Sequence, residues 1–200
     1  MANPDAPFGF RVVRSRSGGP SNQTNEYRIA SAYGTALATG DAVTLDTSGQ
    51  VNIAAAGGAI VGIFQGCRYT TASGSVIHGP AWPASTVSAD AVALVADDPG
   101  LVLEVQSDGS MTSADIGQLV NIDTSQSANT TNGTSRMQTS ASGGAENQFR
   151  VYGVYGNGSL SKPVRDSAGN QALLATGTNA VIHVTIANHV MSGASAAVEV

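Results

Sequence analysis

Charge is the scarcest commodity in this chain. Acidic and basic residues together make up 12% of its 200 residues, against about 25% in an average domain. Long helices laced with i,i+4 ion pairs are therefore excluded as the main architecture. Lysine occurs once, at Lys162, and nine basic residues stand against fourteen acidic ones for a net charge of −5. Nucleic-acid binding needs a clustered basic surface, so no nucleic-acid partner is expected. Cysteine also occurs once, at Cys67, which rules out an intrachain disulfide and makes a reducing compartment the natural reading. The three histidines, His78, His183 and His189, lack the His-Glu-x-x-His or Cys-x-x-Cys company of a zinc site. There is no Gly-x-Ser-x-Gly elbow and no phosphate-cradling loop, since Lys162 is followed by Pro163. No apolar run approaches the roughly 18 residues of a membrane span. The opening Met-Ala-Asn-Pro-Asp-Ala-Pro lacks the basic and apolar regions of a secretory leader. The expectation is a protein without cofactor, metal or membrane partner, made and used without export, and not an enzyme.

What the chain has in quantity is glycine, 24 residues, with Ser, Thr and Asn supplying most of the polar surface. Such a composition suits an all-β chain with many turns, and 200 residues suffice for one sizeable domain burying roughly 70% of its unfolded surface. The clearest local signal runs from Gly40 to Thr71. Val43 and Leu45 alternate with Thr44 and Asp46, and Val51 and Ile53 flank Asn52, the period of two that a half-buried strand requires. Asp46-Thr47-Ser48-Gly49 between them is turn chemistry, so a hairpin is predicted. Ala59 to Gln65 is a more continuous apolar run, suited to a strand covered on both faces. Further strands are predicted at 26–30, 91–96, 101–106, 118–122, 148–155 and 180–188. A second hairpin is expected over 68–78, a helical turn at 112–117, and turns at 97–100 and 166–170. Many short strands with regular turn signals point to a small sandwich or barrel, of jelly-roll or β-tulip type, with at most one or two short helices. Adjacent Asp97 and Asp98 lie in a turn and do not make a coordination sphere.

The predicted organisation has three parts: an extended N-terminal arm over residues 1–25, one β-rich domain over 26–190, and a weakly patterned tail over 191–200. Within the domain, residues 124–147 are nearly all Ser, Thr, Asn, Gly, Gln and Ala and read as a surface excursion. The arm holds Phe8-Gly-Phe-Arg-Val-Val-Arg-Ser-Arg16, an apolar and basic segment on an acidic protein. A purely solvated tail has little use for such side chains. Phe8, Phe10, Arg11, Arg14 and Arg16 are accordingly the candidate partner contacts. Tyr69 and Trp82, the only tryptophan, are secondary candidates as interface anchors, with core packing the commoner role for such residues.

Several of these stretches resemble a known group. The opening Met-Ala-Asn-Pro-Asp-Ala-Pro-Phe-Gly-Phe-Arg11 resembles the start of a family of tailed-bacteriophage head decoration, or cement, proteins. So do Gly40-Asp-Ala-Val-Thr-Leu45, Ile60-Val-Gly-Ile-Phe-Gln-Gly-Cys-Arg-Tyr69, Trp82-Pro-Ala84 and Val184-Thr-Ile-Ala-Asn-His189. More loosely, Gly-Asp-x-Val-x-Leu followed by Val-Gly-Ile is similar to the lambda-type decoration fold. The excursion at 124–147 and the tail after His189 depart from the pattern. The resemblance implies a homotrimer on the outer face of the virion head at local three-fold positions, bridging subunits of the major capsid protein and assembled in the host cytoplasm. The alternative is a virion-exposed module binding host surface or carbohydrate, and a small β-fold hydrolase ranks below it.

Overall fold

The hairpin predicted at 43–53 shows how this sequence builds its sheets. Val43 lies opposite Ile53 and Leu45 opposite Val51, and the Asp46 carboxylate caps the turn by accepting the amides of Ser48 and Gln50, each at 2.8 Å. The same logic of short alternating runs closed by Asp, Ser and Gly turns is repeated along the chain. The computed structural model describes residues 5–18, 23–123, 125, 128–129, 131–142, 147–155 and 178–191. In chain order its strands are β1 (Arg11–Ser15), β2 (Asn25–Arg28), β3 (Leu37–Ala38), β4 (Ala42–Leu45), β5 (Val51–Ile53), β6 (Gly62–Thr70), β7 (Val76–Gly79) and β8 (Ala81–Trp82). They continue with β9 (Val92–Ala96), β10 (Leu101–Gln106), β11 (Leu119–Val120), β12 (Ile122–Asp123), β13 (Gln138–Thr139), β14 (Phe149–Tyr155) and β15 (Val181–Ile186).

The fold is all-β. One antiparallel sheet has the order β1-β10-β15-β14-β11, and a second has the order β2-β9-β6-β4-β5 with β7 also paired to β6. Two small ribbons, β3-β8 and β12-β13, complete the sheets among the described residues. A 3-10 turn at Ser113–Asp115, the one helical element among the described residues, stands where the helical turn is expected. Thr112 and Asp115 close it reciprocally: the Thr112 amide donates to the Asp115 carboxylate at 2.6 Å, and the Ala114 amide donates to the Thr112 hydroxyl at 3.2 Å. Short reciprocal caps of this kind satisfy amides that a helix end leaves open.

Two apolar cores share the second sheet. The first fills the space between the sheets with Leu101, Leu103, Phe149, Val151, Ile182 and Val184 from one side, and Ile60, Ile63, Ala42 and Ala96 from the other. The other core lies on the far face, where Val43, Phe64, Val95 and Trp82 pack with Leu37 and Ile29 under the β3-β8 ribbon. Strand β6 is consequently buried on both faces over Gly62–Phe64, as its unbroken apolar run anticipates. A bulge between Phe64 and Gly66 then shifts its register against β9. All six residues of β15 are buried, Val181, His183 and Thr185 no less than Ile182, Val184 and Ile186.

Two expectations about organisation need correction. The N-terminal arm is extended, but it does not stand apart from the body, because Arg11–Ser15 pairs antiparallel with β10 as an edge strand of the first sheet. The stretch 124–147 is not simply a surface excursion either. Its return leg carries Ser135, Met137, Gln138 and Thr139 into the interior at 4% exposure or less, and β13 pairs with β12. A lone Met amid hydroxyls gave no periodic signal, yet Met137 joins the first core. The predicted turn at 166–170 and, of the tail predicted over 191–200, all but Met191 lie outside the described residues.

Candidate functional site

The arm is held by a knot of backbone bonds between segments remote in sequence. The Phe10 amide donates to the Gly40 carbonyl at 2.9 Å, the Gly40 amide to Phe64, and the Ser135 amide to Thr39. Gly9 makes this crossing possible. Its φ is +76°, and a Cβ there would sit 2.4 Å from that of Ser135, so only glycine fits both the conformation and the space. Beneath the crossing lies the buried carboxylate of Asp41, which accepts the Ala38 amide at 2.7 Å and is hydrogen-bonded to the Ser135 side chain. Burial raises its affinity for a proton, against the opposing pull of those bonds.

The five arm candidates separate at this crossing. Phe10 is 1% exposed and stacks on Phe149 with centroids 4.7 Å apart; it is a core residue, and a role in direct partner contact is corrected on that ground. Phe8 is half-buried and carries the Arg11 guanidinium 4.1 Å above its ring. Arg14 lies over the ring of Tyr152 at 5.2 Å, and both side chains are exposed. Arg16 is exposed as well, while its amide extends the ladder by donating to Gly100. Arg11, Arg14 and Arg16 are thus three exposed cations on and just past the edge strand β1, two of them braced on aromatic rings.

Tyr69 and Trp82 are also corrected as partner anchors. Trp82 is fully buried in the second core and Tyr69 nearly so, in an edge-to-face pair 5.2 Å apart at 77°. The indole N–H points to the Tyr33 carbonyl at 3.5 Å. Both rings hold β3-β8 onto the sheet, so neither is offered to a partner. Cys67 lies in the same core, its thiol donating to the Ala81 carbonyl at 3.2 Å. Burial pushes that thiol up to about 11, which makes it inert at neutral pH.

Beside the arm opens a groove of about 520 Å³, lined by Phe8, Phe10, Arg11 and Val12 together with Thr24, Gln65, Ala96 and Ser135. Thr24, Gln65 and Ser135 carried no signal in the sequence: they meet only because β6, the approach to β2 and the 133–135 segment converge on one edge. Tyr152 carries no signal either, since only the first sheet brings β14 within reach of Arg14. Among the described residues no three His, Cys, Asp or Glu side chains are grouped to hold a metal ion, and no helix is long and apolar enough to cross a membrane. Compared with known families, curated proteins and solved structures, the chain matches none.

Proposed function

We propose that this protein is a bacteriophage head decoration protein. It binds the outer surface of the expanded shell as a homotrimer at local three-fold positions and stabilises the shell by bridging major capsid protein subunits. The observation that supports this reading is the trio Arg11, Arg14 and Arg16, exposed on and just past an edge strand of a chain that is otherwise short of positive charge. An edge strand presents unpaired backbone groups to another chain, and the guanidinium trio selects a partner surface rich in carboxylates. Three such edges on one trimer raise avidity well above that of a single contact. A trimer that binds the assembled shell and not its separated subunits stabilises the shell by mass action.

The arm cannot be tested by deletion, because removing residues 1–16 also removes Phe10 and β1 from the fold. Charge reversal is the cleaner probe. The Arg14→Glu, Arg16→Glu double variant is expected to fold normally and to lose at least about tenfold in affinity for expanded, undecorated heads, measured by co-sedimentation. Unchanged affinity would remove the arginine trio from the mechanism.

A further inference from the structure

We infer that the groove beside β1 is a binding site for an extended acidic–apolar peptide segment of another protein, seated edge-on against β1 with a carboxylate on Arg11. The inference draws on the decoration reading only for the identity of that protein, which would be the shell subunit.

The orientation follows from which residues border the groove. Successive residues of an extended strand point to opposite faces. Phe10 lies in the first core and Val12 packs against it, whereas Arg11 is exposed over Phe8. A cavity bordered by all three therefore meets the strand along its edge, not on a face. The opposite edge of β1 is occupied by β10, so the groove lies on the side that no described strand pairs, where the bond from the Phe10 amide to Gly40 closes one end. Edge-on access to an unpaired strand suits a polypeptide backbone, which brings its own donors and acceptors.

The side-chain preference follows from the lining. Arg11 makes no ion pair among the described residues: although it stands opposite Glu104 in the register of β1 and β10, its guanidinium lies on the Phe8 ring while the Glu104 carboxylate faces His183 at 3.6 Å. The Gln65 amide and the Thr24 hydroxyl, on the same walls, have no hydrogen-bond partner among the described residues. A guanidinium braced on a ring but in no ion pair, with two neutral polar groups beside it, calls for a carboxylate, and the half-buried Phe8 and Val12 supply an apolar wall for a neighbouring side chain. A sugar is a poorer fit, because the Phe8 ring has one face under the Arg11 guanidinium and Phe10 is buried on Phe149, which leaves little aromatic platform.

The test uses the full-length protein, isotopically labelled, and the blocked tetrapeptide acetyl-Val-Glu-Val-Asp-amide, with acetyl-Val-Gln-Val-Asn-amide for comparison. The acidic peptide is expected to shift the amides of Arg11, Val12, Thr24 and Gln65 saturably, and to bind at least about threefold more tightly than the neutral one. Arg11→Gln should abolish that preference. Thr24→Trp, at an exposed position on the rim, should block both peptides and leave the thermal midpoint unchanged. No saturable shift at these amides, or equal binding of the two peptides, would overturn the proposal, as would a response to sialyllactose in place of the peptides. Expanded heads separate the two readings. If the protein coats them and Thr24→Trp coats them equally well, the groove is not the contact while decoration stands. If the acidic peptide binds but heads remain bare, the groove stands and decoration falls.

Discussion

Phe8 and Phe10 stand two residues apart, a spacing that puts both on one face of a regular strand. Gly9, at a φ of +76°, breaks that alternation and sends Phe10 into the core while Phe8 stays at the surface. Replacing Phe10 by Ala is expected to cost about 3–5 kcal/mol in chemical denaturation, the usual loss for a buried ring. Phe8→Ala should cost about 1 kcal/mol or less. Equal costs would mean that the two rings are not divided between core and surface. At Cys67 the thiol, pushed up to about 11 by burial, should resist a disulfide reagent at neutral pH and react only as fast as the protein unfolds. Rapid labelling of the native protein would contradict its placement under β8.

At the scale of elements, close backbone approach and turn anchoring set the stability. A Cβ on Gly62 would lie 2.3 Å from the Ala96 carbonyl oxygen, where β6 and β9 cross into the first core. Gly62→Ala should therefore destabilise by about 1–3 kcal/mol, read as a lowered denaturation midpoint; an unchanged midpoint would refute that packing. Asp90 ties the end of β6 to the loop before β9. It accepts the Thr70 amide at 3.0 Å, the Thr70 hydroxyl at 2.6 Å and the Ser88 hydroxyl at 2.7 Å, and these bonds pull its carboxyl down to about 2 from 3.8. A carboxyl lowered on folding stabilises above its unfolded value and ceases to do so as pH falls through the folded one. Stability measured from pH about 5 down to about 2 should thus fall more steeply in the wild type than in Asp90→Asn. Parallel curves would show that the carboxylate contributes nothing.

These elements also mark what was legible beforehand. Strands β4, β5, β6, β9, β10, β14 and β15 fall within the predicted stretches, because alternation, β-branching and Asp-Gly turns are local signals. The strand-like Arg11-Val-Val-Arg reads locally as an arm, since nothing near it announces β10, some 90 residues on, as its partner. Ser135 and Met137 are hidden for a related reason: Ser135 is packed against Gly9, Gly40 and Asp41 and Met137 against the Ala42 amide in the first core, neighbours that the fold alone brings near. The arginines of the site were readable as a charge anomaly, but the groove beside them was not.

At the scale of the whole molecule, the proposal is an assembly that works by attachment. The isolated protein should sediment as a trimer, in keeping with the closed symmetry of a ring that covers a three-fold position; a monomer at micromolar concentration would contradict the trimer. Attachment through arginine should weaken with added salt, because exposed charge pairs are screened beyond about 8 Å at physiological ionic strength. The most direct measurement is electron cryo-microscopy of expanded, undecorated heads incubated with the purified protein. The account predicts added trimeric density at local three-fold positions, with the edge of β1 against the shell and a higher disruption temperature for coated heads. Bare heads at saturating protein, or density that meets the shell through the β3-β8 side, would contradict it.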